Sequence, residues 1–250
     1  MNQWLIGLAE EAGRMTLEYR EKGFEVFTKP DGSPVTSADL AVDAFLQREL
    51  KSRHPGDCVL SEESPDDPLR GQARRVWIVD PIDGTAHYAA MRDGFGILIA
   101  LCIDGEADEC VALFPMHKIL LYARRTFGAF VNGRAVKVSA NSTRPKIATH
   151  AERFLPLHTA PAQLRNNAIA IFQVITGELE GCICMTSPST GEHDYAWASC
   201  AFESAGGMLT DIDGVPLRYN KAVRRMPAIV LGSNGLVHNE LMANARALMD

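Results

Sequence analysis

Val76-Trp77-Ile78-Val79-Asp80-Pro81-Ile82-Asp83-Gly84-Thr85 is the stretch on which the reading of this 250-residue chain turns. Its first four residues form a short apolar run suited to a buried strand, and Asp80-Pro81 stops it. Pro81 has no amide hydrogen to give a sheet, so it breaks the pairing and turns the chain. A strand end holds Asp80 rigidly, and across such a turn Asp80 and Asp83 can converge on one point. Gly84 lets backbone N–H groups approach an anion, and Thr85 adds a hydroxyl. Hard oxygen donors of this kind suit Mg²⁺ or Mn²⁺ rather than zinc. The same residues also read as a strand-ending Asp followed by an Asp-Gly turn. Taken alone, the motif leaves both readings open.

Strand patterns extend outward from it over about 57–138. Phe95 to Ile103 is a long apolar run suited to a buried central strand. Glu109 to Phe114, Ile119 to Arg124 and Ala129 to Val131 follow, the last closed by an Asn132-Gly133 turn, and their spacing predicts an antiparallel meander. Upstream, residues 3–20 predict an amphipathic helix with Trp4, Leu8, Ala12, Met15 and Tyr19 on one face. Thr28 to Pro34 reads as a loop. A second helix carries Val42, Phe45, Leu46 and Leu50 at helical spacing, opened by a Thr36-x-x-Asp39 capping box. Beyond a connector at 139–146, strands at 146–149, 181–185, 208–210 and 228–232 alternate with helices near 165–177, 194–205 and 236–248. A strand-rich first part and an alternating second part predict α+β (residues 1–140) followed by α/β (141–250).

Charge and composition remove several classes of function. Net charge is −6 and no basic run exceeds two residues, which argues against a nucleic-acid polymer as partner. No stretch approaches the roughly 20 apolar residues of a membrane helix, and acidic Glu10 and Glu11 arrive before any signal-peptide core. A cytoplasmic protein with no membrane partner is the expectation. Six cysteines lack repeated C-x-x-C spacing. Only Cys182 and Cys184 are close, and on a strand they share one face; they read as reduced, buried small side chains.

Other acidic residues have simpler readings when taken singly. Glu62-Glu63 reads as a solvated loop, Asp39 as a capping-box residue, and Asp194 as an N-cap. His87 and His193 read as solvated or structural. Together, however, Lys29-Pro-Asp-Gly-Ser-Pro-Val-Thr-Ser-Ala-Asp39, Glu62-Glu63-Ser64, Asp80–Thr85, Asp194 and Glu203-Ser-Ala-Gly-Gly207 occur in an order that resembles the inositol monophosphatase family. The resemblance spans roughly residues 5–240.

That resemblance implies a layered α-β-α-β-α sandwich and Mg²⁺-dependent, lithium-sensitive hydrolysis of a small phosphate monoester, inositol monophosphate-like. It implies metal ligands at Glu62, Asp80, the Ile82 carbonyl, Asp83 and Asp194, most of them in the 1–140 part. Asp39 and Thr85 would orient and deprotonate the attacking water, and the amides of Gly84 and Thr85 would hold the phosphate. Two or three Mg²⁺ ions, with Mn²⁺ as a substitute, would cancel four carboxylate charges and let an acidic protein bind an anion. A homodimer is implied too.

Three departures bear on the substrate. His193 stands where the family commonly has Trp, Asn166-Asn167 replaces an expected Gly-Ser, and Ala86-His87-Tyr88 follows Thr85. The 3′(2′),5′-bisphosphate nucleotidases and the histidinol-phosphate phosphatases share the same core and stay as alternatives. So does a non-catalytic regulator that binds metal and an anion.

Overall fold

The computed structural model describes residues 1–149 and 167–247. Helix α1 (Gln3–Lys22) leads into a short hairpin of β1 (Val26–Thr28) and β2 (Pro34–Thr36), then α2 (Ser37–Arg53) and β3 (Cys58–Ser61). After β4 (Arg75–Asp83) and the short helix α3 (Thr85–Ala89) come β5 (Gly96–Ile103), β6 (Glu106–Phe114), β7 (Ile119–Arg124), β8 (Gly128–Val131) and β9 (Arg134–Val136). The rest is β10 (Ile147–Thr149), α4 (Asn167–Ile175), β11 (Gly181–Met185), α5 (Glu192–Ala205), β12 (Met208–Asp211), β13 (Ile229–Ser233) and α6 (His238–Arg246).

Strand periodicity sorts these elements into layers. Successive side chains on a strand point to opposite faces, and on β4 and β5 both faces are apolar. Val76, Ile78, Leu98 and Ala100 meet Trp197 and Phe202 of α5. Trp77, Val79, Ile97 and Ile99 meet Leu5 of α1 and Leu46 of α2. The seven-stranded sheet, ordered β3-β4-β5-β6-β7-β8-β9, is thereby covered on both sides. A four-stranded sheet, β10-β11-β13-β12, turns Cys182, Cys184 and Val230 toward α5 and Ile183 and Leu231 toward Leu241 of α6. The layers therefore run α1/α2, sheet, α4/α5, sheet, α6, the α-β-α-β-α sandwich expected. Cys182 and Cys184 share one buried face as free thiols.

Two expectations need correction. From β4 onward the large sheet is the antiparallel meander read from the sequence, but β3 pairs with β4 in parallel. On α1 the buried stripe is Leu5, Leu8, Ala9, Ala12, Gly13 and Thr16, with Trp4, Met15 and Tyr19 at its borders. Small residues, not bulky ones, set this contact. A Cβ on Gly13 would stand 2.4 Å from Leu113 Cδ2, so the helix sits against the sheet at that point and its large side chains flank it. Among the described residues no helix is long and apolar enough to cross a membrane.

The outer layer is tied down by a buried histidine. His238 Nε2 lies 2.8 Å from Thr210 Oγ1, and His238 Nδ1 lies 2.8 Å from Ser233 Oγ. Thr210 Oγ1 donates its own proton to the Asp211 carbonyl, which leaves it to accept from an Nε2–H while Ser233 donates to Nδ1. This neutral ring links α6 to β12 and β13. Burial lowers its pKa below the ordinary value, so as pH falls below about 6.5 the unfolded chain takes up a proton before the folded one. Stability from this group is complete above that pH and is lost on acidification. We expect His238→Phe to cost about 1–3 kcal/mol at pH 7.5, or about 2–4 °C per kcal/mol in melting temperature. Thermal melts from pH 7.5 to 5.5 should fall less steeply for the variant; an unchanged slope would exclude this role.

Candidate functional site

Parallel pairing of β3 and β4 brings the first acidic residues together. Ser61 stands opposite Val79, so both strands finish at the same edge, where the chains leave the sheet and a ligand can be held. Glu62 follows immediately, its N–H donating to the Val79 carbonyl at 3.3 Å. Its loop is pinned from α2, because Asp43 Oδ1 and Oδ2 accept short hydrogen bonds from Ser61 Oγ and Ser64 Oγ. Asp43 is buried and lies one helical turn beyond Asp39 on the same face.

At the end of β4 the ladder with β5 jumps from Asp80–Leu98 to Asp83–Gly96. Pro81 cannot donate to the ladder, and the extra length bulges outward with the Ile82 side chain fully buried beside Ala38, Tyr88 and Phe95. Gly84 then takes φ 79°, a left-handed conformation that caps α3 and that glycine adopts without steric cost. The Ile82 carbonyl lies 3.0 Å from Thr85 Oγ1.

Two helices deliver the remaining carboxylates by the same device. Asp39 is the third residue of α2, and its Oδ2 reaches back to accept the Thr36 N–H at 2.8 Å and a short bond from the Thr36 hydroxyl. That is the expected capping box. Its other oxygen, Oδ1, accepts from Thr85 Oγ1 at 3.0 Å. Asp194 is the third residue of α5, which starts two residues earlier than the sequence suggested. It is therefore not the N-cap, which is Gly191; its Oδ2 accepts the Gly191 N–H at 2.7 Å. Capping and site-building are not alternatives at either position, because each carboxylate has two oxygens.

The electrostatics of the cluster are severe. Ligand-grade oxygens of Asp80, Asp83 and Asp194 all lie within 4.8 Å of one another, as do donor atoms of Glu62, Asp80 and His193. At an effective dielectric near 20, two such charges repel by about 3–4 kcal/mol. A few of these pairs would rival a whole fold's stability of about 5–15 kcal/mol. Asp80 is 1% exposed, and its Oδ1 has no hydrogen-bond partner among the described residues. Burial, then the charges of Glu62, Asp83 and Asp194, push its carboxyl well above the usual range. Burial also raises Asp194, against the pull of His193 and the Gly191 amide, and raises Asp39 against its three hydrogen bonds. A divalent cation would relieve all of this, and an orphaned buried carboxylate oxygen amid oxygen donors fits one.

A built-in cation already offsets part of the charge. Lys29 Nζ donates to Glu62 Oε1 and Glu63 Oε1, each at 2.7 Å. Burial works against its ammonium, but the two carboxylates outweigh that and hold its pKa above the ordinary lysine value. Burial pushes Glu63 up to about 7, opposed by the Lys29 hydrogen bond.

Every sequence-derived site residue thus lies in one place: Asp39, Glu62, Asp80, Ile82, Asp83, Gly84, Thr85 and Asp194. Sequence reasoning gave no role to Lys29, Asp43 or His193. The i, i+4 spacing of Asp39 and Asp43 was the available signal for one of them. His193, read as solvated or structural, has only 11% of its side chain exposed and points Nε2 at Asp194 Oδ2, 3.2 Å away. A cleft of about 210 Å³ adjoins the acids, lined by His87, Asn167, Thr190 and Tyr195. Asn166 lies outside the described residues.

Comparison with known proteins gives the family. The chain matches the inositol monophosphatase family over residues 1–249. It is 37% identical to a histidinol-phosphatase of Chlorobaculum parvum over 172 residues, 66% of each chain. It is 32% identical to a 3′-phosphoadenosine 5′-phosphate phosphatase of Mycobacterium leprae, covering 90% of this chain and 86% of the relative. The crystal structure of the extragenic suppressor protein suhB from Bartonella henselae superposes with a TM-score of 0.81 at 25% identity, covering 96% and 95% of the two chains. A strand-end acid pair, two helix-borne aspartates and a sandwich that aligns over nearly its whole length lead to one assignment: this chain belongs to the inositol monophosphatase family.

Proposed function

We propose that the chain is a Mg²⁺-dependent hydrolase of small-molecule phosphate monoesters. The observation that carries this reading is the Asp39–Thr85 pair, 3.0 Å apart, standing beside a carboxylate cluster whose buried Asp80 Oδ1 has no partner among the described residues. Glu62, Asp80, the Ile82 carbonyl, Asp83 and Asp194 would hold two or three ions, Mn²⁺ being an acceptable substitute for Mg²⁺. Those ions would supply positive charge to the phosphoryl oxygens and the leaving alkoxide, and would acidify water.

The protein's own groups do the positioning. Asp39 is fully buried and its Thr36 bonds fix Oδ2, so Oδ1 presents one oriented acceptor to the Thr85 hydroxyl. Thr85 donates to Asp39 and keeps a lone pair for a water proton, so a water on its far side is aligned for attack. Desolvation makes Asp39 a stronger base than an exposed carboxylate. Amides of Gly84 and Thr85, at the start of α3, would receive phosphate oxygens.

The alcohol half of the ester falls to the cleft wall at Ser187, Ser189, Thr190, His87 and Asn167. The two curated relatives described above carry the names of a histidinol-phosphatase and a 3′-phosphoadenosine 5′-phosphate phosphatase. Inositol phosphates, 3′,5′-bisphosphate nucleotides and histidinol phosphate are therefore the classes to compare. A homodimer, implied by the family, belongs to the same proposal and is read by light scattering.

A phosphate-release panel of these esters and sugar phosphates, with Mg²⁺ and with chelator, tests the reading. Turnover on at least one ester should vanish with chelator and return with Mg²⁺; metal-independent turnover would sink the mechanism, and no turnover on any ester would favour a regulator. Asp39→Asn should lower kcat by about 10²–10⁴-fold while calorimetry finds Mg²⁺ affinity nearly unchanged; a parallel loss of affinity would contradict the assigned role. Asp80→Asn should abolish turnover and the rise in melting temperature that saturating Mg²⁺ gives wild type, a stabilisation of about 2.7 kcal/mol at a hundredfold excess over Kd. Free of metal, Asp80→Asn should melt above wild type, because it removes a buried charge from a repulsive cluster. A lower metal-free melting temperature would refute that account of the electrostatics.

A further inference from the structure

Among the acids of the candidate site stands a nitrogen donor. His193 Nε2 lies 3.2 Å from Asp194 Oδ2 and 3.8 Å from Glu62 Oε2. Donor atoms of Glu62, Asp80 and His193 all fall within 4.8 Å of one another. Around an octahedral ion with bonds of about 2.1 Å, adjacent donors are about 3 Å apart and opposite donors about 4.2 Å. The 3.8 Å separation is too long for a hydrogen bond and lies inside that range.

Local structure aims the ring inward. A Cβ on Gly191 would meet His193 Cε1 at 2.5 Å and Nδ1 at 2.8 Å. Gly191 has φ −117° and ψ −173°, a backbone that any residue adopts, so glycine is needed for room rather than for conformation. Removing that side chain lets the imidazole fold back over the first turn of α5 toward the acids. Asp80, a member of the same three-residue group, is 1% exposed, and its Oδ1 has no hydrogen-bond partner among the described residues. Lys29 engages Glu62 Oε1, leaving Oε2 on the His193 side.

We propose that His193 Nε2 is a direct ligand, with Glu62 and Asp80, of one divalent ion, and that this position therefore prefers a first-row transition ion such as Mn²⁺ to Mg²⁺. The proposal rests on the reading above that the cluster holds metal. Imidazole is a softer donor than carboxylate and binds transition ions well, whereas Mg²⁺ favours an all-oxygen shell and gives up its waters reluctantly. One nitrogen among the oxygens shifts the balance between them.

Metal-free full-length protein titrated with Mn²⁺ and with Mg²⁺ by calorimetry, and Mn²⁺-loaded protein examined by pulsed electron paramagnetic resonance, provide the test. Wild type should show ¹⁴N coupling from a coordinated imidazole; H193Q and H193W should lose it. Since loss of even an outer-shell partner costs about 10–100-fold in metal affinity, H193Q should weaken Mn²⁺ by at least about tenfold and Mg²⁺ by much less. Circular dichroism establishes that each variant is folded, and H193W serves if H193Q is not. Bound Mn²⁺ without nitrogen coupling, or an equal effect of H193Q on both ions, overturns the proposal; it would leave His193 as a partner of Asp194 only. Binding that is abolished by D80N and indifferent to H193Q overturns it while keeping the metal reading. Failure of wild type to bind either ion overturns both.

Discussion

A carboxylate buried at the end of a central strand, surrounded by other carboxylates, constrains the rest of this molecule. Asp80 cannot be solvated where it stands, and its Oδ1 has no donor among the described residues. Such a group is tolerated only if it is protonated or faces a cation. The neighbouring elements look like answers to that problem. Lys29 reaches in from the β1–β2 hairpin to neutralise Glu62 and Glu63. Helices α2 and α5 approach from opposite faces of the large sheet, and each directs its N-terminus, the positive end of its dipole, at the cluster. Their cores fix those approach angles: α2 through Val42, Leu46 and Leu50, and α5 through Trp197, Cys200 and Phe202. The sandwich architecture thus doubles as an electrostatic cage, and the stability it supplies is what permits so unfavourable a cluster.

The two N3 aspartates show how precise placement follows from ordinary helix chemistry. A side chain three residues into a helix that bonds back to the N-cap amide has little rotamer freedom left. Asp39 and Asp194 each use one oxygen this way, so the second oxygen is aimed by the helix axis rather than by the side chain. Thr85 Oγ1 meets Asp39 Oδ1 because the bulge at Pro81 carries Ile82 into its own small core and swings the chain back over α2. Asp43, one turn further along α2, steadies the Glu62 loop through Ser61 and Ser64. One helix therefore positions both the acceptor of the Thr85 hydroxyl and, at one remove, a carboxylate of the cluster.

How much of this was legible in the sequence varied with the range of the interaction. The strand at 76–79, the capping box at Thr36–Asp39 and the layered architecture rest on period, turn residues and motif order, all local or additive signals. The parallel pairing of β3 with β4 left no local mark, because a crossover over residues 62–74 reads like any other loop. Yet that pairing is what sets Glu62 beside Asp80. The inward set of α1 was misread for a related reason: periodicity locates a face only approximately, and Gly13 against Leu113 moved its centre. Lys29 and His193 were hidden because their partners are 33 residues away, as Lys29 is from Glu62, or depend on a missing Cβ at Gly191.

Under the proposed function, chemistry and substrate choice would be carried by parts of the structure with different mechanical support. The acids grow from β3, β4, α2 and α5, all anchored in the two largest cores. The facing wall is a short loop whose hydroxyls bond mainly to one another: Ser187 Oγ to Ser189 Oγ at 2.8 Å, and the Ser187 N–H to Thr190 Oγ1 at 2.9 Å. A change of side chain in that loop alters the surface met by the alcohol without moving a carboxylate. On the proposed function, a change at Asp80 or Asp39 would remove the reaction and leave that loop alone. Such a division would let relatives of one family carry the names of different phosphatases. His193 is the exception that joins the two halves, since it sits between Gly191, where the loop ends, and Asp194, where the acid cluster begins.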